Sequence, residues 1–155
     1  METGPLVTCQ LLINIDVDDL DRAAAFYCAA FGLSIGRRFG AHGVELLGAA
    51  SPLYLLVKQA GTRPTPVPCV KRDYGRHWTP VHLDLVVADV DAAVARALSA
   101  GAVLEGEVVT HSWGRIAQMT DPFGHGFCLL QFHGRGYDEI ADPAVPTAVH
   151  GTSGV

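Results

Sequence analysis

The chain has 155 residues, 49% of them hydrophobic and 17% charged, with a formal net charge of −5 and a pI near 5.7. That length suits one ordinary domain or two small halves sharing a core, and the acidic balance lacks the clustered Lys and Arg that nucleic acid rewards. No stretch reaches the roughly 18 apolar residues of a membrane span. The start METGPLVTCQ lacks the basic-then-apolar layout of a secretory leader, and the four cysteines (Cys9, Cys28, Cys69, Cys128) show no CxxC spacing, which points to reduced thiols in the cytoplasm.

From Thr8 to Val17 the sequence alternates as a strand, with Leu11, Ile13, Ile15 and Val17 on one face and Leu12, Asn14 and Asp16 on the other. Asp18 or Asp19 is placed to cap a helix whose apolar stripe runs through Leu20, Ala23, Ala24, Tyr27 and Phe31 and stops at Gly32. Three strands are predicted around Ile35–Phe39, Val44–Gly48 and Leu53–Lys58. Residues 60–80 hold Pro64, Pro66, Pro68 and Pro80 and read as a connector. Its Arg72, Tyr74, His77 and Trp78 suggest packing against a sheet edge, with folding over a cleft mouth as the alternative.

The scheme then repeats. LINIDVDDL (Leu12–Leu20) has its counterpart in HLDLVVADV (His82–Val90), at an offset of 70 residues. Because 70 is even, matched side chains keep matched faces. Asp89 caps a helix with Val90, Ala93, Val94, Ala97 and Leu98 on its stripe, ended by Gly101; strands are predicted near Val103–Val109, Arg115–Thr120 and Gly126–Phe132. Asp121-Pro122-Phe123-Gly124 is a strong turn signal. The expected layout is a first βαβββ module over 1–59, a linker over 60–80, a second module over 81–140 and a frayed tail over 141–155.

The duplicated βαβββ pattern, with Asp19-Leu20, Phe26-Tyr27 and Phe31-Gly32-Leu33 in the first half and His82, Asp89-Val90, Trp113-Gly114-Arg115 and Asp121-Pro122-Phe123-Gly124 in the second, resembles the vicinal oxygen chelate superfamily of glyoxalases, bleomycin-resistance proteins and extradiol dioxygenases. The resemblance implies an α+β fold of two βαβββ repeats in a curled, cup-shaped sheet, and a homodimer. It also implies metal ligands on the first and last strands of each unit. Position by position these fall on Leu12, Tyr54, His82 and Cys128, so His82 alone matches.

A metal in the family's manner needs at least three well-placed donors, and a lone His82 leads to an expectation of no cofactor. Strand parity nevertheless sends Asn14, Asp16, His82 and Asp84 to one hollow, which favours a protein that binds or sequesters a polar or cationic small molecule. In that reading Tyr54 and Cys128 line the cup, Trp113 stacks a planar ligand and Arg115 clamps an anion. The alternative is a lyase, isomerase or dioxygenase. There His82 acts with Asp84, Asp16 or Cys128, either in acid–base chemistry or around a divalent ion (zinc, manganese, nickel or iron), with Cys and His donors favouring zinc. Against each role stands a structural one: a hydrogen-bonded core histidine, a small buried thiol, a core-edge tryptophan and an arginine paired to a carboxylate.

Overall fold

The computed structural model describes residues 9–66 and 70–143. The first unit is β1 (Ile13–Val17), α1 (Leu20–Phe31), β2 (Ser34–Arg38), β3 (Gly43–Leu47) and β4 (Leu53–Val57). The second is β5 (Leu83–Val86), α2 (Val90–Ala100), β6 (Val103–Leu104), β7 (Val109–His111), β8 (Gly114–Thr120) and β9 (Gly126–Phe132), followed by a 3-10 turn over Gly136–Glu139. Both helices begin as the sequence dictates: Asp19 Oδ1 accepts the Arg22 amide and Asp89 Oδ1 accepts the Ala92 amide, each at 3.0 Å. Both end on a left-handed glycine, Gly32 or Gly101.

Two predicted boundaries move. The first strand starts at Ile13 rather than Thr8, which lies outside the described residues. The single strand expected over Val103–Val109 is two short pieces, because Gly106 at φ +87 turns the chain out of the ladder between them. Of the tail, residues 144–155 lie outside the described residues.

The strands form two mixed sheets, ordered β1-β4-β3-β2 and β5-β9-β8-β6, with β7 added on β8. In each unit the first strand pairs in parallel with the last, and the register is the same: Asn14 faces Tyr54 in the first, Asp84 faces Cys128 in the second. The 70-residue offset therefore survives in three dimensions. Ile15, Val17, Val44, Leu46, Leu53 and Leu55 join Ala117, Met119, Phe127, Leu129 and both helices in one shared core. The opposite face of each sheet carries the polar alternates.

The two units are joined by packing of α1 on α2 and by the D-P-F-G turn. Asp121 is 4% exposed. Its Oδ1 accepts the amides of Phe123 and His125, and its Oδ2 accepts the Tyr27 hydroxyl of α1 at 2.6 Å. Burial, and then the Asp121 charge, push the Tyr27 phenol well above its ordinary range. Phe26 and Phe31 of α1 meet Phe127 edge-on beside this contact. Gly124 (φ +81) is required because a Cβ there would overlap the Gly75 carbonyl of the connector.

Removing Asp121 strands three donors at once, two of them buried and the His125 amide part-buried. Asp121→Ala is expected to cost about 3 kcal/mol or more, and Tyr27→Phe about 1 kcal/mol, in urea unfolding of the whole chain. Equal costs for the two variants would contradict the three-donor account.

Candidate functional site

β5 alternates cleanly. Leu83, Leu85 and Val87 pack on the core, so His82 and Asp84 turn to the other face, half exposed. His82 Nε2 lies 3.1 Å from Asp84 Oδ1. Cys128, on the neighbouring strand and paired with Asp84 in register, completes a cluster whose donor atoms all lie within 4.8 Å of one another. Burial is the largest cause raising the Cys128 thiol, to about 11, reinforced by the Asp84 charge and by the hydrogen bond between the two side chains. At neutral pH these causes keep the thiol of the metal-free site protonated.

Two cavities meet at His82. The first, of about 260 Å³, lies over the second sheet and is lined by Arg76, Trp78, Glu105, Gln118 and Cys128 besides His82. The second, of about 230 Å³, runs between β1 and β5, neither of which bonds to the other. Ile13, Ile15, Leu53, Leu83, Leu85 and Phe127 make it apolar, and Asn14, His82 and His125 supply its polar points. Asn14 and His82 thus share one cavity and Cys128 joins His82 on the other, while Asp84 lines neither: it stands 3.1 Å from His82 and faces a third cavity, of about 510 Å³, along β5.

Asp16 does not join them. Its carboxylate is held by Arg72 Nε at 2.7 Å, from the connector. Strand parity gave Asp16 its direction but could not reveal a partner 56 positions away. Tyr54 is also engaged: its hydroxyl donates to Glu45 Oε2 at 2.9 Å and accepts from Arg37 Nη2 at 3.0 Å. Arg115 grips both carboxylate oxygens of Asp91 on α2, at 2.7 and 3.0 Å. Trp113 stacks on His111 (5.1 Å between centroids, 8° between planes) and packs on Tyr137 and Phe132, none of which lines the two cavities.

Several residues escaped the sequence reading. Glu45 had a visible signal, as a lone acid in the run VELL; it is 5% exposed and is chelated by Arg37, with Nη2 to Oε2 at 2.5 Å. Hydrogen bonds from Arg37 are the main cause holding its carboxyl down at about 2. Glu105 is likewise held at about 2, first by Arg76 and then by Thr120. Arg76, Trp78, His77 and His125 were legible only as connector or loop residues. Trp78 is 79% exposed on the rim of the first cavity.

The metal that the resemblance implies does not fit the shared two-unit position. Leu12 offers no donor atom, and the Tyr54 hydroxyl is committed to Glu45 and Arg37. The duplicated sheets, the shared register and the D-P-F-G tie between units are the observations to set beside known proteins. A family model described as a glyoxalase-like domain matches residues 12–130. The chain belongs to that family.

Among relatives of this glyoxalase-like chain, the anthracycline biosynthesis protein DauV of Streptomyces sp. (strain C5) is 31% identical over 137 residues, 85% of this chain and 44% of that protein, so the chain spans less than half of it. An uncharacterized protein of Mycobacterium bovis, Mb0911c, is 35% identical over 123 residues, 76% of this chain and 80% of that one. Among solved structures, TnmS3, an antibiotic binding protein from Streptomyces sp. CB03234, is 27% identical with a TM-score of 0.59, covering 84% of this chain and all of its own (100%). The fosfomycin resistance protein FosX of Listeria monocytogenes shares the fold at 17% identity and a TM-score of 0.63, over 83% and 96% of the two chains. Among the described residues no helix is long and apolar enough to cross a membrane.

The two depressed carboxyls fix the sign of the acid response. Their folded values lie below the ordinary 4.5, so each ion pair stabilises the fold above about pH 4.5, and that contribution drains away as pH falls toward 2. Thermal midpoints of Glu105→Gln should therefore fall less steeply than wild type between those two pH values; parallel curves would show that Glu105 carries no such linkage.

Proposed function

We propose that the chain binds a small amphipathic organic molecule, with its apolar body in the groove between β1 and β5 and a polar or cationic group at Asp84. The observation that carries this reading is the position of His82, on the lining of an apolar cavity and of a polar one at the same time. A ligand that spans both buries apolar surface and meets a few convergent polar groups, the usual composition of a small-molecule site. Asp84 has only the neighbouring His82 as an ionic partner among the described residues, which suits it to a cation better than Asp16, already neutralised by Arg72. Trp78, free on the rim, takes the stacking role that the sequence assigned to Trp113. Likeness to an antibiotic binding protein and to an anthracycline biosynthesis protein supports capture of a planar, partly apolar molecule.

A thermal-shift panel of planar compounds with and without an amine, followed by calorimetry on the hits, tests this. Asp84→Asn should weaken amine-bearing hits about tenfold or more, as expected for a lost charge-assisted bond. Trp78→Ala should weaken planar hits by about two- to tenfold. Hits whose affinity neither variant changes would place the ligand elsewhere.

A second reading is favoured by one specific observation, the His82–Asp84–Cys128 cluster. Two side chains two apart on one strand rarely converge on an ion, but the register supplies a third anchor from β9. A nitrogen, an oxygen and a sulfur donor with an open side toward the first cavity suit zinc, which would act there as a Lewis acid on a bound carbonyl. Cobalt(II) titration separates the two readings: a thiolate-to-metal absorption band that Cys128→Ser abolishes supports the metal site, and no band with unchanged ligand binding supports the metal-free one.

A further inference from the structure

Two histidines, His77 of the connector and His125 on the wall of the groove, form a chain of three contacts. His77 Nδ1 lies 2.9 Å from the Gly75 carbonyl oxygen, His77 Nε2 lies 2.9 Å from His125 Nδ1, and His125 Nε2 lies 2.7 Å from the Asp16 carbonyl oxygen. The rings cross at 80° with centroids 4.8 Å apart. Both ends of the chain are carbonyl oxygens, which only accept. His77 must therefore carry a proton on Nδ1 and His125 one on Nε2. The ring-to-ring contact needs a third.

From this count we propose that His77 and His125 form a proton-dependent tie that fastens the connector and the second unit to β1 when the pair shares one positive charge. With three protons all three hydrogen bonds are made. With two, the inner nitrogens face each other lone pair to lone pair, and with four they face N–H to N–H; either way one link of the chain must open. The tie goes beyond the ligand-binding reading and does not depend on it. His125 lines the groove between β1 and β5, so opening the tie loosens one wall of that cavity.

Its surroundings are fixed by other bonds. Asp16 is paired with Arg72, and Asp121 accepts the His125 amide and the Tyr27 hydroxyl. Arg76 is paired with Glu105, the Tyr74 ring meets His125 edge-on, Asp73 holds the Gly75 amide, and His82 lies across the groove. Each nearby carboxylate already has a partner of its own. The His77 amide bond to the Gly124 carbonyl, at 3.2 Å, uses no ring nitrogen and survives titration. Opening is therefore local, a release of the His77 ring from the His125 ring rather than unfolding.

The sign follows from the count. The tie is lost as pH rises and removes the third proton, and lost again as pH falls and adds the fourth, so its strength against pH is a bell. The test is a double-mutant cycle of His77→Phe and His125→Phe on the full chain, read by urea unfolding at about pH 4.5, 6.5 and 9, bracketing the ordinary histidine range. The expected coupling is about fivefold or more in the unfolding constant at the middle pH and near onefold at both ends. In parallel, long-range nitrogen-15 spectra of the wild-type histidines should count three ring N–H protons on the pair at the middle pH, so the proposal stays decidable if a variant fails to fold. A flat or monotonic coupling, or two rings that titrate independently through a two-proton neutral pair at the middle pH, overturns it.

Discussion

The architecture hangs on one buried carboxylate. Asp121 satisfies two amides of its own turn and the Tyr27 hydroxyl of the other unit, with only the His125 amide part-buried and the other groups buried. A buried acceptor that serves three donors is costly to disturb and specific in geometry. It sets where α1 sits relative to the β8–β9 hairpin. The edge-on contacts of Phe26 and Phe31 with Phe127 lie beside it, and α1 packs on α2 across the same junction. The groove at that junction is a consequence of the docking, since the two first strands share no backbone ladder.

On this frame duplication has produced similarity of backbone and divergence of chemistry. Asn14 and Tyr54 face each other in the first unit as Asp84 and Cys128 do in the second. The first pair sits beside a closed network in which Glu45, Arg37 and Tyr54 satisfy one another. In the second pair Cys128 is buried on the wall of a cavity, and Asp84 is half exposed beside His82, which lines the same cavity. One unit has turned its polar face into structure, while the other has kept donors available to a ligand.

The connector does more than span the units. Arg72 holds Asp16, Tyr74 donates to the Lys58 carbonyl at 2.5 Å, Arg76 holds Glu105, and Trp78 stands at the rim. Its guanidinium groups neutralise one acid in each unit, Asp16 on β1 and Glu105 just after β6. Arg72 thereby engages Asp16, and Asp84 is left as the acid of the proposed site. Arg72 thus reaches β1 through Asp16, and Trp78 stands at the mouth of the first cavity.

Periodicity, caps and turn chemistry are local, and they were enough to read both helices with their Asp caps and glycine stops, most strands, the D-P-F-G turn and the faces of Asn14, Asp16, His82 and Asp84. An even offset transmits parity, so the duplicated faces were legible without coordinates. Partnership is not local. Arg72 with Asp16, Arg115 with Asp91, Tyr27 with Asp121 and His77 with His125 join segments far apart in sequence, and nothing in a one-dimensional pattern ranks one such pair above another. Packing alone chose which polar residues satisfy each other and which stay free for a ligand, because a buried or half-buried charge takes the partner that the folded chain brings within hydrogen-bond reach.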